Sequence, residues 1–296
     1  MNQRALSRPS PTFLAIALMF GAGALVAVTS LLAKTLGLPT SNNMGLSPFQ
    51  VSAGRFCFAL IALLLFLLFS PPKRPTLSGA NWPLHLLRSI CGWLGITCMF
   101  AAVARMPVSE ATAISFLSPL VSMVLAVFML GERLGMRKII AVSLAITGAA
   151  LILRPGSDAL QLAGLYALMA AFFMGIEAIF IKRLSDTEPV LRVLLINNTM
   201  GACFSLCAAL MVWIWPSPIQ WMWLMMLGGV MILAQSLFIQ AMKRGDASFV
   251  IPAFYSVLVF ASLYDYAIYG VAPSIMAFTG AGFIVAGALV LALKKS

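Results

Sequence analysis

The chain has 296 residues, of which 62% are hydrophobic and only 9% are charged, and its mean hydropathy is +1.03. A soluble protein of this length needs a charged surface that this composition lacks, so the composition indicates a polytopic membrane protein. The net charge of +11 does not indicate a nucleic-acid partner. The basic residues form short clusters between apolar runs, which is where the orientation signals of membrane proteins lie.

Ten apolar runs approach or reach the roughly 20 residues that a helix needs to cross a bilayer. Segments rich in Pro, Gly and Ser separate them, as expected for turns. The first run is longer than the hydrophobic region of a usual signal peptide, so we expect it to remain as a helix. The predicted spans are residues 11–33, 48–69, 84–104, 108–130, 136–154, 160–182, 190–214, 219–241, 247–269 and 273–293.

The distribution of Lys and Arg predicts the orientation of these spans. If the N-terminus lies inside, 15 of the 19 basic residues fall on the inner side and three (Lys34, Arg105 and Arg154) on the outer side. Arg55 lies within the second span. This bias follows the positive-inside rule, so we expect both termini to be cytoplasmic and the protein to lie in the plasma (inner) membrane.

Landmarks that recur 139 residues apart indicate an internal duplication, since a fixed offset is the signature of a repeat. The pairs are Ser109 and Ser248, Gly131 and Gly270, Ala141 and Gly280, and Gly148 and Gly287. Because each unit then holds five spans, the second unit enters the membrane in the opposite orientation. The sequence therefore predicts an all-α polytopic membrane protein with ten transmembrane helices in two inverted five-helix repeats, residues 11–154 and 155–293, with cytoplasmic tails 1–10 and 294–296.

The chain resembles the EamA type of the drug/metabolite transporter superfamily over essentially its whole length. The residues that carry the resemblance are Arg55, the segment 111–119 entering the fourth span, Gly131-Glu132-Arg133 and Gly148. The resemblance implies a pathway lined mainly by spans one, three, four, six, eight and nine, with spans five and ten peripheral. Small residues at helical spacing in span five agree with that, because they favour close helix packing.

Charged residues inside or near the ends of spans are candidates for substrate binding or ion coupling, since they are costly there and usually face a cavity or a partner. Lys34 or Arg55 could face a substrate carboxylate. Asp265 or Glu110 could face an amine or carry a coupling proton, and Glu177 could be a proton or cation site on the inner side. The structural alternatives are that Arg55 pairs with one of these acids and that Glu177 turns toward the basic residues after it.

A second group of candidates comprises aromatic, amide and proline residues. Aromatic walls with a few polar groups are typical of small-molecule pockets, although packing is the alternative for each residue. The candidates for substrate contact on the implied pathway are Trp93, Gln235, Phe254 and Tyr255. Pro119 and Pro252 each remove a backbone hydrogen bond, so each could act as a gate hinge or as a static kink.

The sequence contains no motif that indicates catalysis, a metal site or a cofactor. GxxxxGK[ST], HExxH and GxSxG patterns are absent, and the five cysteines have no CxxC spacing. We therefore expect a transporter and not an enzyme, with no metal and no cofactor.

The function that this sequence favours is secondary active export of a small organic metabolite by alternating access, with inverted repeats as the structural basis. An amino-acid-like or zwitterionic solute is the first candidate. Purine-like, vitamin-like and cationic drug-like solutes remain open. Expected partners are the small-molecule substrate, the lipid bilayer and possible coupling protons, with no nucleic acid, in a monomer or homodimer. The alternatives are a membrane-embedded enzyme acting on a lipid-linked substrate and a non-transporting assembly subunit.

Overall fold

The computed structural model describes residues 11–39, 44–69, 77–118, 121, 125, 136–153, 158–244 and 253–292. In these residues every regular element is an α-helix, and ten helices follow one another along the chain. They are α1 Pro11–Gly37, α2 Pro48–Phe69, α3 Trp82–Val103, α4 Val108–Ser115, α5 Met136–Leu153, α6 Asp158–Thr187, α7 Val190–Leu210, α8 Pro218–Arg244, α9 Ser256–Tyr269 and α10 Ile275–Ala292. The predicted all-α class and the ten helices are confirmed.

Six of the described helices are long and apolar enough to cross a membrane by length and composition alone, namely α1, α2, α3, α6, α7 and α8. Shorter apolar helical segments lie in α5, α9 and α10. Burial is partial in the six long helices, because their outward faces carry large apolar side chains such as Leu65, Phe69 and Met225. Such exposed apolar faces suit lipid as the surrounding solvent.

Contacts between helix ends establish the direction of each repeat. The backbone N–H of Asn81 at the start of α3 donates to Glu188 just after α6, at 2.8 Å, so α3 and α6 are antiparallel. A methyl group at Gly37 would lie 2.9 Å from Cβ of Ala104, so α1 and α3 end together and run parallel. Helix α1 therefore runs opposite to α6, and the two repeats are inverted. We call the end that holds the last turn of α1 the outer end, following the predicted orientation, and the opposite end the inner end.

The pattern of helix packing also obeys this inverted repeat. Duplication makes α1 equivalent to α6 and α3 equivalent to α8. Helix α1 packs on α8 and α3 packs on α6, so these two interfaces are counterparts. Helices α2 and α7 pack on each other, as do α5 and α10, so each of these pairs joins a helix to its own counterpart.

Helices α5 and α10 pack through glycine. A methyl group at Gly280 would lie 2.6 Å from the carbonyl oxygen of Gly148 and 2.7 Å from Cγ1 of Ile152, so neither glycine has room for a side chain. Ala145 and Ile284 are fully buried beside them. Since lipid supplies no hydrophobic drive between helices, this close approach provides van der Waals contact in its place.

Candidate functional site

At the outer end, one buried carboxylate joins three helices. Asp265 of α9 is fully buried, and its Oδ1 atom lies 3.2 Å from Nζ of Lys34 in the last turn of α1. Its Oδ2 atom accepts hydrogen bonds from the backbone N–H of Ser109 at 2.8 Å and from the Ser109 hydroxyl at 2.9 Å. The carboxylate therefore caps the start of α4, where free N–H groups and the helix dipole favour negative charge.

This outer network links the two repeats, because α1 and α4 belong to the first and α9 to the second. Two further contacts join α1 and α9 beside it. Nζ of Lys34 lies 4.4 Å from the centre of the Tyr269 ring, and the Tyr269 hydroxyl lies 2.8 Å from the hydroxyl of Thr35. Helices α1, α4 and α9 are thus held together at the outer end.

At the inner end, Glu188 has the corresponding position between the repeats. It lies in the turn between α6 and α7, and its Oε1 accepts from the backbone N–H of Asn81 at the start of α3. Its Oε2 lies 2.9 Å from Nε2 of His85 and 3.7 Å from Nη1 of Arg192. Burial alone would raise the pKa of Glu188, but the hydrogen bonds from Asn81 and His85 and the charge of Arg192 together lower it.

Sequence reasoning missed Glu188 because it searched the apolar spans for charges, and Glu188 lies in a turn. The signal that could have found it is the pairing of the one histidine in the chain, at the inner start of the third span, with an acid at the inner end of the sixth span.

Between these two ends lies the central charge cluster, which we define as Arg55 of α2, Arg88 of α3 and Glu177 of α6. Nη2 of Arg88 lies 3.7 Å from Oε1 of Glu177, and Nη1 of Arg88 lies 3.5 Å from the carbonyl oxygen of Val193. Arg55 lies within electrostatic range of both other members. Glu177 also lies against Gly92, because a methyl group there would be 2.7 Å from its Oε1.

Arg55 differs from the other charges of this interior. Its exposed fraction is 5%, its Nε atom has no hydrogen-bond partner, and no carboxylate in the described part of the chain lies within ion-pair distance. Among the described residues, Arg55 therefore does not form an ion pair with an acid of the outer half. Asp265 pairs with Lys34 instead, and Glu177 pairs with Arg88.

The remaining aromatic and amide candidates lie in three separate places. The Trp93 ring lies between those of Phe49 and Phe204, at 6.4 and 6.2 Å between ring centres, and its buried Nε1 has no partner among the described residues. Tyr255 and Phe254 pack on Phe116, at 4.8 and 6.1 Å. Gln235 of α8 likewise has a buried Oε1 without a hydrogen bond in the described part of the chain.

A groove of about 1000 Å³ runs along α9 and α10 and reaches the start of α4. Its polar groups come from Ser109, Glu110, Tyr255, Ser256 and Ser262, and the other lining side chains are apolar. Arg55, Glu177 and Asp265 are not among the lining residues. Of the predicted site residues that the structure describes, the groove includes two, Glu110 and Tyr255.

The candidate hinges, Pro119 and Pro252, lie outside the described residues. Within the described ranges, no group of three or more His, Cys, Asp or Glu side chains comes together in a way that could hold a metal ion.

Comparison with known proteins agrees with this architecture. The model of the EamA-like transporter family matches residues 13–154 and again residues 161–293. A solved structure, described only as the crystal structure of a protein, shares the fold with a TM-score of 0.62 at 21% identity and covers 94% of this chain and 96% of its own.

Curated relatives cover most of both chains. The S-adenosylmethionine uptake transporter of Rickettsia bellii is 28% identical over 82% of this chain and 83% of its own length. The riboflavin transporter of Vibrio cholerae is 30% identical over 83% of each chain. The pseudopaline exporter of Pseudomonas aeruginosa is 24% identical over 81% of this chain and 85% of its own. The chain therefore belongs to the EamA-like transporter family, and its activity is that of a membrane transporter rather than of an enzyme.

Proposed function

We propose that the chain is a secondary transporter that moves a small amino-acid-like solute by alternating access between the two inverted repeats. The observation that supports this most directly is the pair of polar networks at opposite ends of the bundle. Asp265 joins the repeats at the outer end, and Glu188 joins them at the inner end. Inverted repeats offer two packings of similar energy, and a polar contact between repeats at each end can close one packing and release the other.

Both networks suit the role of gates because they are buried and directional. A buried ion pair adds little net stability, since desolvation of its charges offsets their attraction. It does fix which surfaces meet, because leaving one charge unpaired is costly. Such contacts can therefore hold a closed end in register and still separate when substrate binding favours the other packing.

An amino-acid-like or zwitterionic solute is the proposed substrate class, because charged groups of both signs lie in or beside the bundle interior. S-adenosylmethionine, which is named for the Rickettsia relative, itself carries an amino-acid group. Vitamin-like solutes remain the second candidate, in view of the riboflavin relatives.

Export is the proposed direction, and protons are the proposed coupling ion. The relatives include proteins named for uptake and proteins named for export. We further propose that the protein lies in the inner membrane with both termini cytoplasmic and acts as a monomer or homodimer, with residues 11–154 and 155–293 as its repeats.

The first experiment is substrate flux in proteoliposomes loaded with a pH-sensitive dye. The panel contains the amino acids, S-adenosylmethionine and riboflavin, supplied from either side, and protein-free liposomes are the control. Proton movement that accompanies a substrate and is lost in Asp265→Asn or Glu177→Gln supports coupled transport. Flux that is unaffected by pH and by both variants would remove proton coupling from the proposal.

A cross-linking experiment tests alternating access itself. In a variant without native cysteines, a short thiol cross-linker joins Lys34→Cys to Asp265→Cys at the outer end, or Asn81→Cys to Glu188→Cys at the inner end. Either lock should stop net flux, and each single-cysteine variant treated with the same reagent is the control. Continued flux with one end locked would contradict alternating access, and a complete absence of flux before locking would favour a non-transporting subunit.

A further inference from the structure

Arg55 is a buried cation without a carboxylate partner among the described residues, and this feature has a chemical consequence. We propose that the Arg55 guanidinium, between α2, α3 and α6, receives the carboxylate group of the transported solute. This assignment rests on the proposed transport of an amino-acid-like solute and names the group of that solute which the protein recognises.

The charges of the central charge cluster do not cancel. It holds two guanidinium groups and one carboxylate, and Glu177 is committed to Arg88 at 3.7 Å. Arg88 has a further acceptor in the carbonyl of Val193. Arg55 is thus left without a carboxylate of its own, with an exposed fraction of 5% and with its Cζ atom 4.0 Å from the centre of the Phe56 ring. A ring face compensates a buried charge only in part, and an anionic ligand beside Arg55 would lower the remaining cost.

Three unpaired hydrogen-bond donors on α2 and α3 fit the same ligand chemistry. Nε of Arg55, Nε of Arg88 and Nε1 of Trp93 are buried N–H donors that lack acceptors among the described residues. An ionised carboxylate only accepts hydrogen bonds, and it matches the planar fork of an arginine in two parallel bonds. An ammonium group only donates, so it does not fit these positions.

The location of the cluster suits a transported group. Arg55 follows the start of α2 at the outer end by seven residues, about 10 Å along a helix. Glu177 precedes Glu188 at the inner end by 11 residues, about 16 Å. The cluster therefore lies between the two networks and is built from both repeats. The Glu177 side chain keeps 19% of its surface exposed, so the cluster is not sealed by protein.

The test measures ligand binding by purified protein in nanodiscs, from shifts in thermal unfolding. The probes are the amino acids and S-adenosylmethionine, each compared with its methyl ester, which masks the carboxylate and retains the amine. Variants are Arg55→Met and, as a matched control far from the cluster, Arg105→Met, whose side chain donates to Ala101 and lies over the Tyr166 ring.

We expect one or more of the free acids to stabilise the wild type and Arg105→Met, while its ester does not. In Arg55→Met the apparent affinity for that acid should fall about 10- to 100-fold, the range for losing a charge-assisted hydrogen-bonded contact. Without ligand, Arg55→Met should unfold at or above the wild-type temperature, because the desolvation cost removed with the charge outweighs its cation–π contact with Phe56.

Three results would overturn the assignment. One is equal binding of acid and ester, another is undiminished binding by Arg55→Met, and the third is the absence of any shift with the free acids. Flux of a panel solute by Arg55→Met at the wild-type rate would reject the Arg55 site while leaving the transporter proposal intact. The absence of flux in the wild type would instead reject the proposed substrate class.

Discussion

Replacing Asp265 with asparagine tests whether one carboxylate holds the outer end closed. The substitution keeps the volume of the side chain and removes its charge, which leaves Lys34 near the end of α1 with no carboxylate in the described structure. Removing one partner of a buried ion pair costs about 3–5 kcal/mol. Lys34→Met should cost a similar amount, because it leaves the fully buried Asp265 carboxylate without its counter-ion, although the hydrogen bonds from Ser109 at 2.8 and 2.9 Å remain.

Hydrogen exchange at the start of α4 reads this cost directly, because the Ser109 amide is itself a donor to Asp265. A loss of about 3–5 kcal/mol in local stability corresponds to exchange of that amide roughly 150- to 5000-fold faster in Asp265→Asn. Thr35→Val, which removes the hydroxyl contacts to Tyr269 and to the carbonyl of Leu31 and no charge, is the control and should change the rate less than about tenfold.

A double-mutant cycle between Lys34→Met and Asp265→Asn separates the ion pair from the helix cap. Groups in direct contact should show a coupling energy of about 0.5–3 kcal/mol. If the Ser109 amide exchanged at the wild-type rate in Asp265→Asn, or if the coupling energy were zero, the ion pair would not be what joins α1, α4 and α9.

Three further predictions follow from the same structure. Gly148→Ala should lower the unfolding free energy by about 1–3 kcal/mol, because the added methyl group would collide with the backbone of α10. Gly282→Ala is the control and should leave the unfolding free energy unchanged, because no atom lies within 4 Å of the added methyl group. Denaturant or thermal unfolding measures both effects. Because folding lowers the pKa of Glu188, its stabilising contribution is complete above the ordinary value of 4.5 and is lost as the pH falls through the lowered folded value. The thermal midpoint of the wild type should therefore fall more steeply below pH 4.5 than that of Glu188→Gln. Gly92→Ala should displace the carboxylate of the central charge cluster and slow flux severalfold, whereas Gly229→Ala, in open space, should leave the flux assay unchanged.

Helix boundaries show where sequence reasoning reached its limit. The first span was predicted to end at residue 33, but α1 continues to Gly37 through Lys34. The sixth was predicted to end at 182, but α6 continues to Thr187 through Lys182 and Arg183. Hydropathy follows the apolar thickness of the membrane, whereas a helix ends where its backbone hydrogen bonds end. Polar last turns are therefore missed.

The candidate site could be predicted only as a set of unusual residues. A charge inside an apolar run is visible in the sequence, so Lys34, Arg55, Glu177 and Asp265 were all identified as exceptional. Their partners were not, since nothing in the sequence shows that Lys34, a candidate for contact with a substrate carboxylate, lies 3.2 Å from Asp265, 231 residues away. Glu188 was missed because a charge in a turn is ordinary.

The sequence by itself determined the all-helical class, the ten helices, the duplication and the small residues through which α5 packs closely. Each of these depends on hydropathy, spacing or residue size, which can be read one segment at a time. Only the tertiary structure decided which charges neutralise each other and that Arg55 has no carboxylate beside it in the described chain. Such pairings arise when helices distant in sequence pack together, and the low dielectric of the interior makes each pairing energetically decisive.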